Sequence, residues 1–281
     1  MAVHSIQSNK WYNSRYIMGE LIRIGAGEDA PGVGATVDTT GAIVTKFGFS
    51  DHEVLLNRDG NRGGMHACSH WFGAVREPQH GLARVSEWSP VNSRVPIMNA
   101  RAGRSEMGVI LEWMPDIGSA SEGLRHTLEY AIMNRRALRA ELCIKNEDGK
   151  RVERIAPGFH PYFKVDGETN PNQVMALYKP SEPGEAFIAT KINSEAELRG
   201  ERPTFKEKFI LGKNTNYVES DLMTTVTWSD DPSRFICFEP TQAGPSLEVE
   251  DGAILLPRGE ERRFFVSIRT AAQETGARRL S

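Results

Sequence analysis

Four of the seven histidines fall in two short segments that set acid–base groups among aromatic side chains. The first segment, Arg62–Trp88, reads RGGMHACSHWFGAVREPQHGLARVSEW. Its glycine-rich start, its Pro78-Gln79 turn and its His80-Gly81 suggest a loop–strand–loop unit with polar groups held beside aromatics. The second, Pro157–Phe163 (PGFHPYF), places His160 between Phe159 and Pro161-Tyr162-Phe163, and Pro161 keeps His160 extended. A third segment, Ile254–Phe265 (ILLPRGEERRFF), carries a strand-like apolar run through a Pro-Gly turn to Glu260 and Glu261. Imidazole and carboxylate groups whose pKa values burial can move toward neutrality are suitable partners for proton transfer. Singly, each histidine reads as a hydrogen-bonded core or rim residue, and a carboxylate just after a turn reads as solvated surface. The three segments are informative together.

Other constellations carry less. His66, Cys68 and His70 alternate, so in an extended segment they share a face on which a metal could sit. Their spacing is not a usual zinc pattern and no fourth ligand is in view, so shape and hydrogen bonding around a pocket are the expected reasons for them. Leu21–Ala30 (LIRIGAGEDA) nearly matches a dinucleotide fingerprint, but Pro31-Gly32 follows where a helix would have to begin, so a glycine turn between strands is expected. Asp and Glu are too abundant for a glycosidase carboxylate pair to be picked out without a spatial constraint.

The elements that must position these residues read as strands. Leu124, His126, Leu128, Tyr130 and Ile132 alternate, and Leu138, Ala140, Leu142 and Ile144 repeat the pattern, ending at an Asp148-Gly149 turn. Further strand candidates are Ala42–Phe49, Glu53–Asn57, Met107–Trp113, Val174–Lys179, Phe187–Ile192, Lys208–Leu211, Thr224–Trp228 and Arg234–Glu239. Ser246–Val249, Ala253–Leu256 and Arg263–Arg269 complete the set. The best helical stretch is Ala271–Arg279, short and terminal. Gly25–Gly41 reads as a long surface loop or arm, and residues 1–40 have no assigned place. No repeat and no composition break divides the chain, so residues 1–281 are expected to form a single domain.

Composition narrows the classes. The chain has 281 residues, with 34 Lys+Arg against 37 Asp+Glu, a formal charge of −3. That lacks the basic excess of a general nucleic-acid binder. With 39% apolar and 25% charged residues it reads as globular and not disordered. No apolar run is long enough to span a bilayer, so no membrane partner is expected. Met1–Trp11 carries no visible secretory signal, and three scattered cysteines (Cys68, Cys143, Cys237) make neither a disulfide framework nor a CxxC zinc site. A cytoplasmic location is the expectation.

The combination of segments resembles the aldose 1-epimerase (mutarotase) superfamily, closest to its hexose-6-phosphate mutarotase branch. The matching residues are Arg62-Gly63-Gly64, Phe72-Gly73, Pro78-Gln79-His80-Gly81-Leu82-Ala83-Arg84 and Trp88. They continue with Gly158-Phe159-His160-Pro161-Tyr162-Phe163, Phe238-Glu239-Pro240-Thr241 and Leu256-Pro257-Arg258-Gly259-Glu260. Order and spacing agree from about Gly41 to the C-terminus. Two departures stand out. The family's Pro before the aromatic-Phe-Gly stretch is absent from Cys68-Ser69-His70-Trp71, which bears on sugar specificity, and Arg258 interrupts the Pro-Gly-Glu motif.

The resemblance implies an all-β, antiparallel two-sheet β-sandwich of the galactose mutarotase type, with the site on the concave face of one sheet. It implies acid–base interconversion of the α and β anomers of an aldose, hexose 6-phosphates included, with neither metal nor cofactor. Glu260 would be the base on the C1 hydroxyl, His160 the acid toward the ring oxygen, and His80 a second histidine donating to that oxygen. Arg62 and Arg84 would bind the sugar or its phosphate, with Trp71 and Tyr162 in contact with the sugar. The partner is then a small sugar or sugar phosphate, and the expected state a monomer or weak dimer. A non-catalytic sugar-binding protein on the same fold is the alternative. A glycoside hydrolase or lyase on a similar sandwich would draw instead on Glu239 or Tyr162.

Overall fold

The computed structural model describes residues 19–25, 33–49, 52–60, 62–73, 78–99, 104–134, 137–147, 153–165, 175–178, 188–191, 205–211, 214–229, 231, 233–243 and 252–272. In chain order these hold β1 (Leu21–Gly25), β2 (Val33–Asp38), β3 (Ile43–Phe49), β4 (His52–Glu53), β5 (Met65–Cys68), a 3-10 turn (Ala83–Val85), β6 (Ser89–Asn99), β7 (Arg104–Trp113), β8 (Leu124–Met133) and β9 (Ala137–Asn146). Then come β10 (Glu153–Ile155), β11 (Gly158–Lys164), β12 (Met175–Tyr178), β13 (Ile188–Lys191), β14 (Phe205–Leu211), β15 (Asn214–Ser220), β16 (Thr224–Trp228), β17 (Phe235–Thr241), β18 (Ile254–Leu256) and β19 (Glu261–Ala272). No helix among the described residues is long and apolar enough to cross a membrane.

One sheet runs β1-β2-β3-β5-β11-β17-β16, with β4 on β3; the other runs β13-β12-β14-β15-β19-β9-β8-β7-β6; β10 and β18 form a small ribbon. The all-β antiparallel sandwich expected from the sequence is what forms. Alternation explains it. In β8 and β9 every second residue is buried, and these inward faces (Leu128, Tyr130, Leu142, Ile144) join Val266 and Ile268 of β19 in one core. Val37, Val44, Phe47, Phe159, Phe163 and Phe238 of the first sheet fill the same core. Tyr130 ties the layers together by donating its buried hydroxyl to the Ala42 carbonyl at 2.7 Å.

Two expectations are corrected and one holds. Gly25–Gly41 is not simply a loop or arm: its residues 33–38 are β2, which pairs with both β1 and β3 and buries Val33, Ala35 and Val37. The near-dinucleotide segment behaves as expected: it leads from one strand to the next, with β1 antiparallel to β2 and Gly25 opposite Gly34. The chain from Ala271 begins as the end of β19, with residues 273–281 outside the described set. The expected strand Ser246–Val249 also lies outside it.

Candidate active site

Strands β5, β11 and β17 sit side by side in the first sheet, and each sends alternate residues away from the sandwich core. Phe159 and Phe163 enter the core, so His160 and Tyr162 face outward; Met65 and Ala67 enter it, so His66 and Cys68 face outward; Ile236 and Phe238 enter it, so Cys237 and Glu239 face outward. The register sets the rows. His160 is opposite His66. Tyr162 is opposite Cys237 and Gly158 opposite Thr241, which brings Glu239 level with His160. Gly158 is required here, because a Cβ would lie 2.5 Å from the Phe72 ring.

The result is a cluster of three imidazoles. His66 stacks on His160 with centroids 4.9 Å apart, and His80 meets His160 edge-on at 5.0 Å. Tyr162 stacks on the same ring at 4.7 Å and 10°. Glu239, only 3% exposed, places Oε1 3.3 Å from His160 Nε2. Arg62 lies over the Trp228 ring at 4.8 Å and donates to the Tyr162 hydroxyl.

His80 arrives from the loop above. Its φ is +64°, and Gly81 follows at +80°, where a Cβ would stand 2.0 Å from the Ser69 carbonyl oxygen. The loop closes on Gly73: the His80 amide donates to the Gly73 carbonyl at 2.8 Å, and the Gly73 amide donates to His80 Nδ1 at 3.1 Å. An Nδ1 that accepts leaves the proton of the neutral ring on Nε2.

Burial dominates the electrostatics. It holds His160 well below the usual imidazole range, with His80, Arg84 and Arg62 adding to the effect. It depresses His66 in the same way, with His160 and Arg84 contributing, and takes His80 down to about 3 with the help of Arg84. The three rings are therefore neutral at pH 7, and Arg84 acts on all of them.

Of the residues expected from the sequence, His80, His160, Arg62, Arg84 and Tyr162 come together here. Two do not. Trp71 is 1% exposed, donates its Nε1–H to the Pro78 carbonyl at 3.2 Å and packs on His70, so neither ring face is open to a ligand. Glu260 lies elsewhere. Leu256 pairs with Glu153, so the chain leaves β18 at the end of β10 that is farther from His160. There the Glu260 carbonyl accepts from the Asn146 amide at 3.0 Å, while its exposed carboxylate meets Arg262 at 3.3 Å. The carboxylate beside the histidines is Glu239. Sequence reasoning assigns Cys237 no role, weighs His66 only as a metal-face or pocket residue, and names Glu239 as a site residue only for a hydrolase or lyase alternative. Alternation puts Cys237 and Glu239 on one face, but only the register with β11 brings that face to His160. The HACSH alternation also separates: His70 turns to Ser121, Nδ1 to Oγ 2.8 Å, away from His66.

No protein-family model and no curated protein sequence matches this chain. Solved structures do. A protein from Synechocystis sp. PCC 6803 superposes with a TM-score of 0.71 at 16% identity, over 96% of this chain and 100% of that one. A galactose mutarotase related enzyme from Lactobacillus acidophilus gives 0.69 at 15%, over 90% and 98%. A galactose 1-epimerase from Lactobacillus acidophilus NCFM gives 0.64 at 12%, over 90% and 98%. The chain therefore has the antiparallel β-sandwich fold of galactose mutarotase-like proteins.

Proposed function

We propose that the protein is an aldose 1-epimerase that opens and recloses the hemiacetal ring of a hexose, with hexose 6-phosphates among its substrates. The observation that carries this reading is the buried His160–Glu239 pair flanked by His80, Arg62 and Arg84 on the outer face of a mutarotase-like sheet. Simple sugar binding does not need a buried acid–base pair.

The chemistry needs one proton to leave the C1 hydroxyl and one to reach the ring oxygen. Both oxygens are bonded to C1, so a single nitrogen can serve both. With Nε2 directed at Glu239, His160 takes the hydroxyl proton on Nδ1, and the Glu239 carboxylate stabilises the imidazolium that forms. The C1–ring oxygen bond breaks with its electron pair going to the ring oxygen, which takes the same proton back from Nδ1. His80 Nε2–H steadies the charge that develops there. The aldehyde turns about its C1–C2 bond and the steps reverse on the other face. In this assignment Glu239 replaces Glu260 as the carboxylate, and His160 acts as base before it acts as acid.

Arg62 and Arg84 suit a phosphate because a guanidinium holds two of its oxygens at once. Residence in a reducing compartment fits three buried cysteines that form no disulfide. The test is anomer exchange followed by NMR with glucose, galactose and their 6-phosphates. Exchange no faster than the buffer blank for all four would end this reading.

A further inference from the structure

The same face of the sheet carries a donor set that sugar chemistry does not account for. His160, Cys237 and Glu239 each present a ligand atom, and these atoms lie within 4.8 Å of one another, all three residues buried. Two strand neighbours supply them: Cys237 and Glu239 are alternate residues of β17, and His160 comes from β11. His66 lies on β5, across β11 from Cys237 and Glu239, and is outside the group. Its ring is stacked 4.9 Å from His160, and its Nε2 is buried without a hydrogen-bond partner, as is His160 Nδ1.

We infer that His160, Cys237 and Glu239 form a three-residue binding site for a divalent transition-metal ion of the zinc class, with the remaining coordination position left to solvent. Sulfur and imidazole donors select such an ion over magnesium or calcium, which take oxygen. Atoms sharing a tetrahedral ion at bond lengths of about 2.0–2.3 Å stand roughly 3.3–3.8 Å apart. The widest present gap of 4.8 Å therefore closes by about 1 Å, within reach of side-chain rotation. With Glu239 already a carboxylate, the ion's two positive charges and the one proton lost from Cys237 leave the site one unit more positive beside Arg62 and Arg84. The imidazoles are already neutral and need lose no proton. Binding releases one proton, from the Cys237 thiol as it becomes a thiolate.

The ion and the sugar exclude each other. A metal held between His160 Nε2 and Glu239 replaces the contact by which the carboxylate would stabilise the imidazolium during ring opening, so the loaded protein is the inactive form. This consequence rests on the epimerase reading; the site itself does not.

The experiment titrates the full chain, first stripped with a chelator, with Co2+ and with Zn2+. The expected result is one ion per chain and a thiolate-to-cobalt charge-transfer band. Cys237→Ser should lose the band, and Cys68→Ser should keep it. Cys237→Ser should weaken Zn2+ binding by at least the roughly 10- to 100-fold that even an outer-shell partner is worth. Cobalt binding without a thiolate band overturns the site, and that result needs no variant. A band that survives in Cys237→Ser and vanishes in Cys68→Ser also overturns it. Failure of Zn2+ to bind while the stripped protein exchanges anomers removes the site and leaves the epimerase standing. Binding as described by a protein that exchanges no sugar does the reverse. Where both hold, Zn2+ inhibits exchange at the concentration at which it binds.

Discussion

The choice between Glu239 and Glu260 can be decided by two isosteric substitutions. Glu239 is 3% exposed and its Oε1 is 3.3 Å from His160 Nε2. Glu239→Gln keeps the shape and removes the charge that would stabilise the imidazolium. The expected loss is that of one acid–base partner, about 10²- to 10⁴-fold in kcat, or roughly 3–5 kcal/mol of barrier. Glu260 is solvent-facing: its side chain is 48% exposed and its Arg262 partner 49%. Such pairs contribute about 0–1 kcal/mol to stability, so Glu260→Gln should stay within about twofold of the parent in kcat, the range expected of a surface change. The assay is NMR magnetisation transfer between anomers, with thermal unfolding of each variant to confirm the fold. A silent Glu239→Gln and a dead Glu260→Gln would refute the reasoning. The turn after β18 would then have to carry Glu260 to the histidines when sugar binds, as the family resemblance implies.

Three further outcomes are expected. Gly81→Ala forces a Cβ to 2.0 Å from the Ser69 carbonyl at a φ of +80°. It should cost more than the roughly 1–2 kcal/mol of the left-handed backbone alone and displace His80; a variant with parental melting temperature and kcat contradicts this. Arg84→Met should raise KM for glucose 6-phosphate about 10- to 150-fold more than for glucose, the loss of a charge-assisted phosphate contact; equal losses for both sugars would assign Arg84 to bracing the loop instead. His126 is fully buried between Trp113 and Trp88 with His70 nearby, and burial takes its pKa from 6.5 down to about 3. The unfolded chain then binds the extra proton below pH 6.5, so this stability is complete above pH 6.5 and falls with pH toward 3. The loss is about 2 kcal/mol by pH 5 at 1.36 kcal/mol per unit. Urea midpoints should show it and His126→Leu should lack it; an unchanged slope in that variant would contradict it.

Local pattern was enough wherever a strand has one face in the core and one in water. Leu124–Met133 and Ala137–Asn146 alternate for that reason, and their strands were legible at once. Where both faces are covered, polarity stops alternating. β5 and β17 are buried along their whole length and β11 nearly so, because the site itself covers their outer face. That burial hid β5, and it left β11 readable only as a fixed, extended setting for His160. β2 was hidden differently, by glycines and threonines that read as a loop, although pairing on both sides makes it a sheet strand.

The sequence by itself was enough for the fold class, and it named His80, His160, Arg62 and Arg84, which the fold brings together and which lie within motifs whose internal spacing is local. It could not choose the carboxylate. Glu239 and Glu260 both stand in motif segments, and which of them meets His160 depends on the neighbours their strands acquire. β17 pairs with β11 and carries Glu239 level with His160, whereas β18 pairs with β10 and delivers Glu260 to solvent. Strand spacing states which residues share a face, but register between strands distant in the chain is set by how the whole sheet packs on its core. For that reason the neighbourhood of His66, Cys237 and Glu239 around His160 exists only in the folded protein.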